Sequence, residues 1–238
     1  MLSIRNLTKT YPGGKVAVSD LSLDIEAGDI YGFIGHNGAG KTSAIKAIVG
    51  IHDFDGGEIF IDGKSVKDEP MACKSVTAYI PDNPDIYDYL TGIQYLNFIA
   101  DVFGVSKKDR QERIARYADL LELTSALGDS VSSYSHGMKQ KLTVISALIH
   151  EPKLLVLDEP FVGLDPKATV TLKEIMREMC QKGAAIFFST HVLDVAERLC
   201  TKVAIIRDGK LVVSGRTEEL VREGCSLEDV FMEVDKNA

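Results

Sequence analysis

Cysteine is scarce in this sequence, and the four cysteines do not have the spacing of a zinc site or a disulfide framework. Cys73, Cys180, Cys200 and Cys225 lie far apart and form no C-x-x-C pair. Zinc sites and disulfide frameworks use more closely spaced cysteines. The spacing therefore predicts neither of them, and it indicates reduced thiols in a cytoplasmic protein.

A hydrophobic run long enough for a membrane is also missing. The longest mainly apolar stretch, residues 142–149, is far shorter than the roughly 20 residues of a spanning helix. Met1 to Arg5 lack the apolar segment of a signal peptide. If the protein works at a membrane, we expect another chain to supply the spanning helices.

Positive charge is in the minority, with 27 basic residues against 35 acidic ones and a formal net charge of −8. This balance disfavours a general role in nucleic-acid binding. The length of 238 residues fits one α/β domain with or without a small appended lobe. A hydrophobic content of 45% is ordinary for a soluble globular protein.

The most informative stretch is a glycine-rich loop between a strand and a helix. Residues 29–34 predict a short buried strand, and residues 42–50 predict a helix with an apolar face. The spacing between them, G-x-x-x-x-G-K-[ST], is that of a phosphate-binding loop. The loop consists of Gly35, His36, Asn37, Gly38, Ala39, Gly40, Lys41 and Thr42.

This loop contains the groups that a triphosphate needs. Its glycines let several backbone N–H groups converge on one anion, and the helix start adds unpaired amides. Lys41 would place its charge against the outer phosphates, and the Thr42 hydroxyl would ligate Mg²⁺. A glycine-rich turn that merely connects two elements is the alternative. Because the loop and its flanks agree, we predict that the chain binds a nucleoside triphosphate.

Acidic residues end a second apolar strand. Residues 153–158 form a continuous apolar run that closes on Asp158 and is followed by Glu159. Functional groups of parallel sheets gather at the carboxyl ends of strands. We therefore expect Asp158 to reach the Mg²⁺ directly or through water, and Glu159 to orient or deprotonate the attacking water. The alternative, a solvated turn, fits a wholly apolar strand poorly.

Two further residues are open to two interpretations. His191 follows the predicted buried strand 184–188 at the same sheet edge, where it is either a structural hydrogen-bonding group or a functional one. Tyr11 lies in a turn between the alternating strands 2–7 and 16–25. Its ring either stacks on a base or packs over the turn.

Helical periodicity dominates the middle of the chain, from Thr91 to about Leu127. Within it, the charge run 107–113 predicts a solvated helix start. Ser135 is well placed to cap a further helix that runs through Ile149; anion binding there is the alternative. This section predicts a helical lobe inserted in an α/β frame. A hairpin over 202–214 and short helical pieces near 217–222 and 227–234 follow.

Together these motifs resemble those of an ATP-binding cassette subunit, the nucleotide-binding domain of an ABC transporter. The resemblance runs in order from about Leu2 to Gly215. It implies an α/β fold: a P-loop NTPase core with a mixed, mainly parallel sheet, an N-terminal antiparallel β part and an inserted helical lobe. It implies one ABC ATPase domain over residues 1–238, with the lobe at about 84–150 and a helical tail at about 216–238.

The resemblance also implies roles for individual residues. Lys41, Glu159 and His191 would be catalytic, with Glu159 as the catalytic carboxylate and His191 as the switch histidine at the γ-phosphate. Thr42, Asp82 and Asp158 would hold Mg²⁺. ATP would contact the aromatic Tyr11, the Walker A residues 35–42 extended by Ser43, and Ser135 and Gly137 of the family signature.

In this family the signature of one subunit closes over the ATP that is bound to the other. The resemblance thus implies a dimer, with two copies of this chain as the simplest case, and an integral membrane permease that docks on the helical lobe. Such docking would place the protein peripherally on the inner face of the cell membrane. The stretch 82–90, with Tyr87 and Tyr89 among acids, is our candidate for the permease contact, and local packing of these tyrosines is the alternative. The style of the signature and the compact length favour the exporter branch.

Three positions depart from the family pattern. The signature is usually Leu-Ser-Gly-Gly-Gln, whereas here it is Tyr-Ser-His-Gly-Met at residues 134–138. Asp82 stands where a glutamine is usual, and His36 replaces a common proline. Because Glu159 and His191 are both present, we expect a site that hydrolyses ATP.

Two other functions compete with this interpretation. A soluble cassette ATPase acting on ribosomes or DNA would usually carry two cassettes or a long coiled-coil insertion, and neither is found in this sequence. A kinase or GTPase could use the same loop, but the guanine-reading motif Asn-Lys-x-Asp is missing.

Overall fold

The computed structural model describes residues 1–84, 86–221 and 226–236. Cys225, Asp85 within the stretch 82–90, and Arg222 at the end of a predicted helical piece lie outside this range. The strands are β1 (Leu2–Thr10), β2 (Val16–Ile25), β3 (Ile30–Ile34), β4 (Gly56–Ile61), β5 (Lys64–Ser65), β6 (Thr77–Ile80), β7 (Leu154–Asp158), β8 (Ala185–Thr190), β9 (Lys202–Arg207) and β10 (Lys210–Arg216).

Nine α-helices occur in the described ranges, along with short 3-10 turns at Thr124–Ala126 and Val131–Ser133. The helices are α1 (Lys41–Ile48), α2 (Pro70–Ser75), α3 (Gly92–Val102), α4 (Lys107–Leu120), α5 (His136–Leu148), α6 (Pro166–Gln181), α7 (Leu193–Leu199), α8 (Thr217–Leu220) and α9 (Leu227–Lys236). Within this same part of the chain, no helix has both the length and the apolar character that a bilayer span demands.

The strands form two sheets. The smaller is antiparallel, in the order β2-β1-β4-β5, and the larger has the order β10-β9-β3-β8-β7-β6. All neighbours in the larger sheet are parallel except the β9–β10 hairpin. This architecture confirms the predicted mixed, mainly parallel sheet and the N-terminal antiparallel part.

Burial follows from the sequence pattern of each strand. Along β1, Leu2 and Ile4 are buried while Ser3 and Arg5 are accessible, because successive side chains of a strand point to opposite faces. A register shift between Ile4 and Leu7 returns Leu7 to the buried face. All five residues of β3 and of β7 are buried, as expected for central parallel strands covered on both faces. One apolar cluster joins α3, α4, α5 and α6 to one face of the large sheet, and the other joins α1 and the small sheet to the opposite face.

Side-chain caps explain where the helices of the lobe begin. Thr91 accepts from Gln94 N in a capping box before α3, and Ser106 accepts from Asp109 N before α4. Ser135 accepts from Met138 N at 3.3 Å, so its predicted capping role is confirmed. Each such cap satisfies an amide that the first helical turn leaves without a partner.

Some expectations about these elements need correction. The charge run 107–113 does start a helix, but it is not simply solvated: Arg110 bonds Asp101 of α3, and Arg113 donates to Ile149 O at 2.8 Å. These contacts tie α4 to its neighbours. The sequence analysis also missed α2 and α7, which are only six and seven residues long.

Candidate active site

Four strands bring the predicted site residues to one edge of the large sheet. β3 leads into the loop that starts at Gly35, β6 ends just before Asp82, β7 ends at Asp158, and β8 ends just before His191. β3, β8, β7 and β6 are consecutive parallel neighbours. Their carboxyl ends therefore meet, at the place where open α/β sheets bind ligands.

The glycine-rich loop presents unpaired amides. Among the described residues, the backbone N–H groups of Gly38, Gly40, Lys41 and Thr42 donate no hydrogen bond. Gly40 precedes α1 with φ 107, and a Cβ built there would lie 2.2 Å from Ala17 O, so that only glycine fits. The amides at the start of α1 and the positive end of its dipole make this loop suited to an anion.

Lys41 is buried inside this loop, with only 7% of its side chain exposed. Its Nζ donates to Gly35 O at 2.6 Å and to His36 O at 3.3 Å. A buried ammonium group needs such acceptors to offset its lost hydration. The same ammonium lies 3.5 Å from Glu159 Oε1, which places a cation between the loop and the strand-end acids.

Asp158 is 1% exposed, and only one of its two carboxylate oxygens is satisfied. Ser189 Oγ donates to Oδ1, whereas buried Oδ2 has no hydrogen-bond partner in the described ranges. A buried carboxylate oxygen without a partner is costly and rare. It therefore marks a place where a cation fits, and Thr42 lines the same pocket.

No group of three or more His, Cys, Asp and Glu side chains is arranged as a metal site within residues 1–84, 86–221 and 226–236. The donor set at Asp158 is therefore sparse. Mg²⁺ is usually held by one or two carboxylates together with waters and substrate phosphates, so a sparse set beside a phosphate-binding loop fits this ion. Burial and, to a smaller extent, the negative charges of Asp158 and Asp82 raise the pKa of Tyr79 well above its usual value.

Glu159 has a strained backbone. Its φ is 47°, in the left-handed region, which costs a non-glycine residue on the order of 1 kcal/mol and is concentrated at functional sites. Ser189 Oγ accepts from Glu159 N at 3.0 Å, and Val162 N donates to Glu159 O at 3.2 Å. These two bonds hold the residue in its unusual conformation.

The side chain of Glu159 lies close to the Lys41 ammonium group and to the His191 imidazole. Oε1 lies 3.5 Å from Lys41 Nζ and 3.0 Å from His191 Nδ1. Neither approach has the alignment of a hydrogen bond, since this buried oxygen has no hydrogen-bond partner among the described residues. A carboxylate oxygen that is positioned but not satisfied can still accept a proton from a bound water.

Tyr11 is fixed at the other end of the pocket. Its hydroxyl lies 3.2 Å from Ser43 Oγ and 3.1 Å from His52 Nδ1, and the two rings meet edge to face with centroids 5.9 Å apart. Lys9 Nζ lies 5.4 Å from the centroid of the tyrosine ring. These contacts set the orientation of the ring.

One cavity of about 270 Å³ collects most of the predicted site residues. A neighbouring cleft joins Gly35, His36, Asn37 and His191 to α9, where Phe231 meets the His36 ring edge to face at 4.7 Å. Ala39 is buried, and its amide donates to His36 O. The residues that line the cavity include Tyr11, His36, Asn37, Gly38, Gly40, Lys41, Thr42, Ser43, Asp82, Asp158 and Glu159.

The two signature residues are not brought to this cavity. Neither Ser135 nor Gly137 is among its lining residues. Gly137 instead lies beside Gly163, whose carbonyl oxygen would be 3.0 Å from a Cβ at position 137. A single chain therefore assembles only part of the predicted set.

Several residues of the site were not predicted from the sequence. Ser189 contacts both acids, His52 orients Tyr11, and Lys15 lines the cavity. A signal existed for Ser189, because it is a polar residue near the carboxyl end of an otherwise apolar strand. No sequence pattern pointed to His52 or Lys15.

The strand order and the glycine-rich loop before α1 define the chain as an α/β protein with a phosphate-binding loop. The model of the ABC transporter family matches residues 18–162, and the chain belongs to that family. EcsA, an ABC-type transporter ATP-binding protein of Bacillus subtilis (strain 168), is 35% identical over 240 residues, which cover 99% of this chain and 97% of EcsA. This confirms the predicted resemblance to ABC ATP-binding subunits.

Solved structures agree with the fold. The structure of an ATP-binding subunit of an ABC transporter has a TM-score of 0.94 and 33% identity, with 99% of each chain covered. The ATP-binding cassette MJ0796, in a dimeric post-hydrolysis state with ADP and Pi, has a TM-score of 0.84 at 20% identity, with coverage of 92% of this chain and 99% of its own. The latter similarity supports the fold alone.

Proposed function

We propose that this chain is the ATP-hydrolysing subunit of an ABC transporter that dimerises around Mg-ATP and powers export through a separate integral membrane permease. Residues 1–238 would form one ABC ATPase domain, with the helical lobe at about 84–150 and the helical tail at about 216–238. The protein would lie in the cytoplasm, on the inner face of the membrane through its permease. The net charge of −8 gives no support for a nucleic-acid partner.

The phosphate end of the site would work by positioning and charge. The unpaired amides of Gly38, Gly40 and Thr42 would bind the phosphates, and the Lys41 ammonium would neutralise the outer ones. Thr42 and Asp158, with Asp82 nearby, would hold Mg²⁺, which supplies charge neutralisation on the phosphate oxygens when bound. The unsatisfied Oδ2 of Asp158 supports this assignment.

Glu159 would act on the attacking water. Its carboxylate would accept a proton as the water oxygen bonds to the γ-phosphorus, while the bond to the bridging oxygen breaks and ADP leaves. His191, whose Nδ1 lies 3.0 Å from Glu159 Oε1, would act beside it as the switch histidine at the γ-phosphate. Tyr11 would carry the adenine on its ring at the far end of the cavity.

The position of the signature residues is the main support for the proposed dimer. Ser135 and Gly137 lie outside the cavity formed by their own chain, although Ser135 starts a helix whose first turn could bind an anion. A second copy that presents its signature would complete the set. The MJ0796 cassette, with this fold, is a dimer with ADP and Pi bound.

Glu159→Gln tests the dimer directly, because slowed hydrolysis keeps ATP in the site. Sedimentation velocity of this variant should show a dimer with Mg-ATP and a monomer with Mg-ADP. Glu112→Gln, at an exposed position on α4, is the matched control and should behave as the parent protein does. A monomer under all conditions would contradict the proposal.

An exposed aromatic cluster on the lobe supports a permease contact. Tyr87 has ring contacts with Tyr89 at 5.7 Å and Phe98 at 5.8 Å, and 49%, 79% and 45% of these three residues are exposed. Exposed aromatic patches are typical of partner surfaces. Tyr89→Ala should leave the basal ATPase rate unchanged and reduce co-purification with an integral membrane protein. If co-purification were unchanged, the permease would not bind the protein through Tyr89.

A further inference from the structure

The signature of this chain touches the loop that follows its own catalytic carboxylate. His136 occupies the position where the family pattern has its first glycine, and its ring lies directly on Gly163. A Cβ built on Gly163 would be 2.6 Å from His136 Cδ2 and 2.7 Å from Nε2. Gly163 also has φ 81. A side chain at 163 would therefore displace the exposed ring of His136 from its present position.

A second contact joins the same two segments. Lys141 Nζ of α5 lies 2.7 Å from Asp165 Oδ2, and Asp165 Oδ1 accepts from Ala168 N at the start of α6. Both His136 and Gly163 are exposed, and the ring lies over the glycine as a packing contact at the surface. Ring and ion pair together join residues 163–165 to the first turns of α5.

Gly163 and Asp165 lie only a few residues after Glu159 in the sequence. Val162 N donates to Glu159 O at 3.2 Å, and Glu159 has the strained φ of 47° described above. A strained residue persists only where its surroundings over-determine it. Gly163 is the next residue after Val162, so the His136 ring acts on one end of the turn whose other end is Glu159.

We propose that His136 is a positioning residue, whose ring packs on Gly163 and thereby fixes the turn that holds Glu159 in place. This proposal rests on the hydrolytic role assigned to Glu159 under the proposed function. It connects the signature of each chain with the carboxylate of that same chain. In a dimer, the signature of one chain would contact the nucleotide of the other chain. That contact would then affect the position of Glu159 in the chain that carries the signature.

A double-mutant cycle tests the contact. His136→Gly removes the ring, and Gly163→Ala displaces it by steric overlap. Gly183→Ala is the matched control, since Gly183 also has a positive φ, 92°, but no atom lies within 4 Å of a built Cβ. His136→Phe keeps a flat ring on Gly163 and should rescue.

Each single variant should lose activity, and the double variant should lose no more than the slower of the two. His136→Gly and Gly163→Ala should each lower kcat by about tenfold with the dissociation constant for ATP unchanged, because misplacement by a fraction of an ångström slows chemistry. The double variant should be no slower than the slower single variant, since the two changes remove one shared contact. His136→Phe and Gly183→Ala should stay close to the parent kcat. Multiplicative losses in the double variant would overturn the proposal.

Hydrogen exchange of the nucleotide-free monomer gives a readout that needs neither hydrolysis nor a dimer. The amides of residues 161–165 should exchange faster in His136→Gly than in the parent chain and return to the parent rate in His136→Phe. Unchanged exchange in His136→Gly would overturn the contact itself. Faster exchange with an unchanged kcat would overturn the positioning of Glu159. A failure to dimerise would leave the exchange result intact, so the two proposals fail separately.

Discussion

The two edges of the large sheet differ in whether their charged groups have partners. At the amino ends of β7 and β8 lies a cleft of about 480 Å³, larger than the cavity of about 270 Å³ at the carboxyl ends. Charges that line the larger cleft are paired: Lys153 with Asp62 at 2.7 Å and Lys182 with Glu178 at 2.7 Å. At the smaller cavity, buried oxygens of Asp158 and Glu159 have no hydrogen-bond partner in the described part of the chain.

Between these two cavities, the carboxylate oxygens without partners distinguish the candidate site, whereas volume does not. Paired charges at the amino edge need no ligand, and their removal should affect stability alone. Unpaired amides and carboxylate oxygens at the carboxyl edge gain partners only when a phosphate and a cation bind. Buried polar atoms of Gln140 and His150 also have no partner in the described ranges, so it is the combination with the loop amides that marks this edge.

The largest effect is expected for Glu159→Gln. Loss of the general base should lower kcat by about 10²–10⁴, whereas ATP should still bind because the loop amides and Lys41 are unchanged. Steady-state ATPase assays and calorimetric titration with ATP measure the two quantities. Hydrolysis at the parent rate would show that Glu159 does not have the assigned role.

Ser189→Ala should have the next largest effect, since it removes the donor to Asp158 Oδ1 and the acceptor for Glu159 N. Loss of such a supporting contact typically weakens metal affinity or activity by about 10–100-fold. The Mg²⁺ concentration that gives half-maximal ATPase should therefore rise. Ser146→Ala is the control, because Ser146 is also buried, at 6% exposure, and donates to Thr143 O in its own helix. Equal behaviour of the two variants would remove Ser189 from the site.

A smaller change is expected at the base end of the cavity. Tyr11→Ala should weaken ATP binding by about 1–3 kcal/mol, the usual contribution of base–aromatic stacking. Inorganic tripolyphosphate has no base, so its affinity should not change. If calorimetry showed the same loss for both ligands, Tyr11 would act on the phosphates or on the loop and not on the base.

Glu178→Gln, at the amino edge, should change stability slightly and leave ATPase activity intact. Hydrogen bonds from Lys182 and then Arg116 lower the pKa of Glu178 below its usual value of 4.5. Because the folded-state pKa is depressed, the stabilisation is present above about pH 4.5 and is lost as the pH falls through the folded-state value. Exposure and screening limit it to about 0.2–1 kcal/mol.

Urea unfolding of parent and Glu178→Gln as a function of pH checks this sign. The difference between the two proteins should be constant near neutral pH and vanish in acid. A difference that grew as the pH fell, or a loss of ATPase activity, would show that the amino edge is more than a structural surface.

Much of the active-site edge could be predicted because each part has a local pattern. An apolar run that ends in acid places Asp158 at a strand end, and the glycine spacing places Lys41 at a helix start. Sheet topology then brings these ends together. Ser135 was predicted as a cap for the same reason, since capping depends on residues only three positions apart.

Other features could not be read from local patterns. The strained φ of Glu159 depends on Ser189, a residue 30 positions away in sequence. The ring of His136 on Gly163 joins segments whose proximity only the folded chain reveals. Helix α7 is a single short element with charged residues, so its periodicity extends over too few residues to distinguish it from a loop.

Complementation between two inactive variants tests the central claim most directly. Lys41→Ala disables a chain's own phosphate loop, and Ser135→Arg disables the signature that it would offer to a partner. Each variant alone should be nearly inactive in ATP hydrolysis. Mixed, they should regain activity, because a mixed dimer has one site with an intact loop from one chain and an intact signature from the other. If the mixture hydrolyses ATP no faster than its separate components, the site is not shared between two chains.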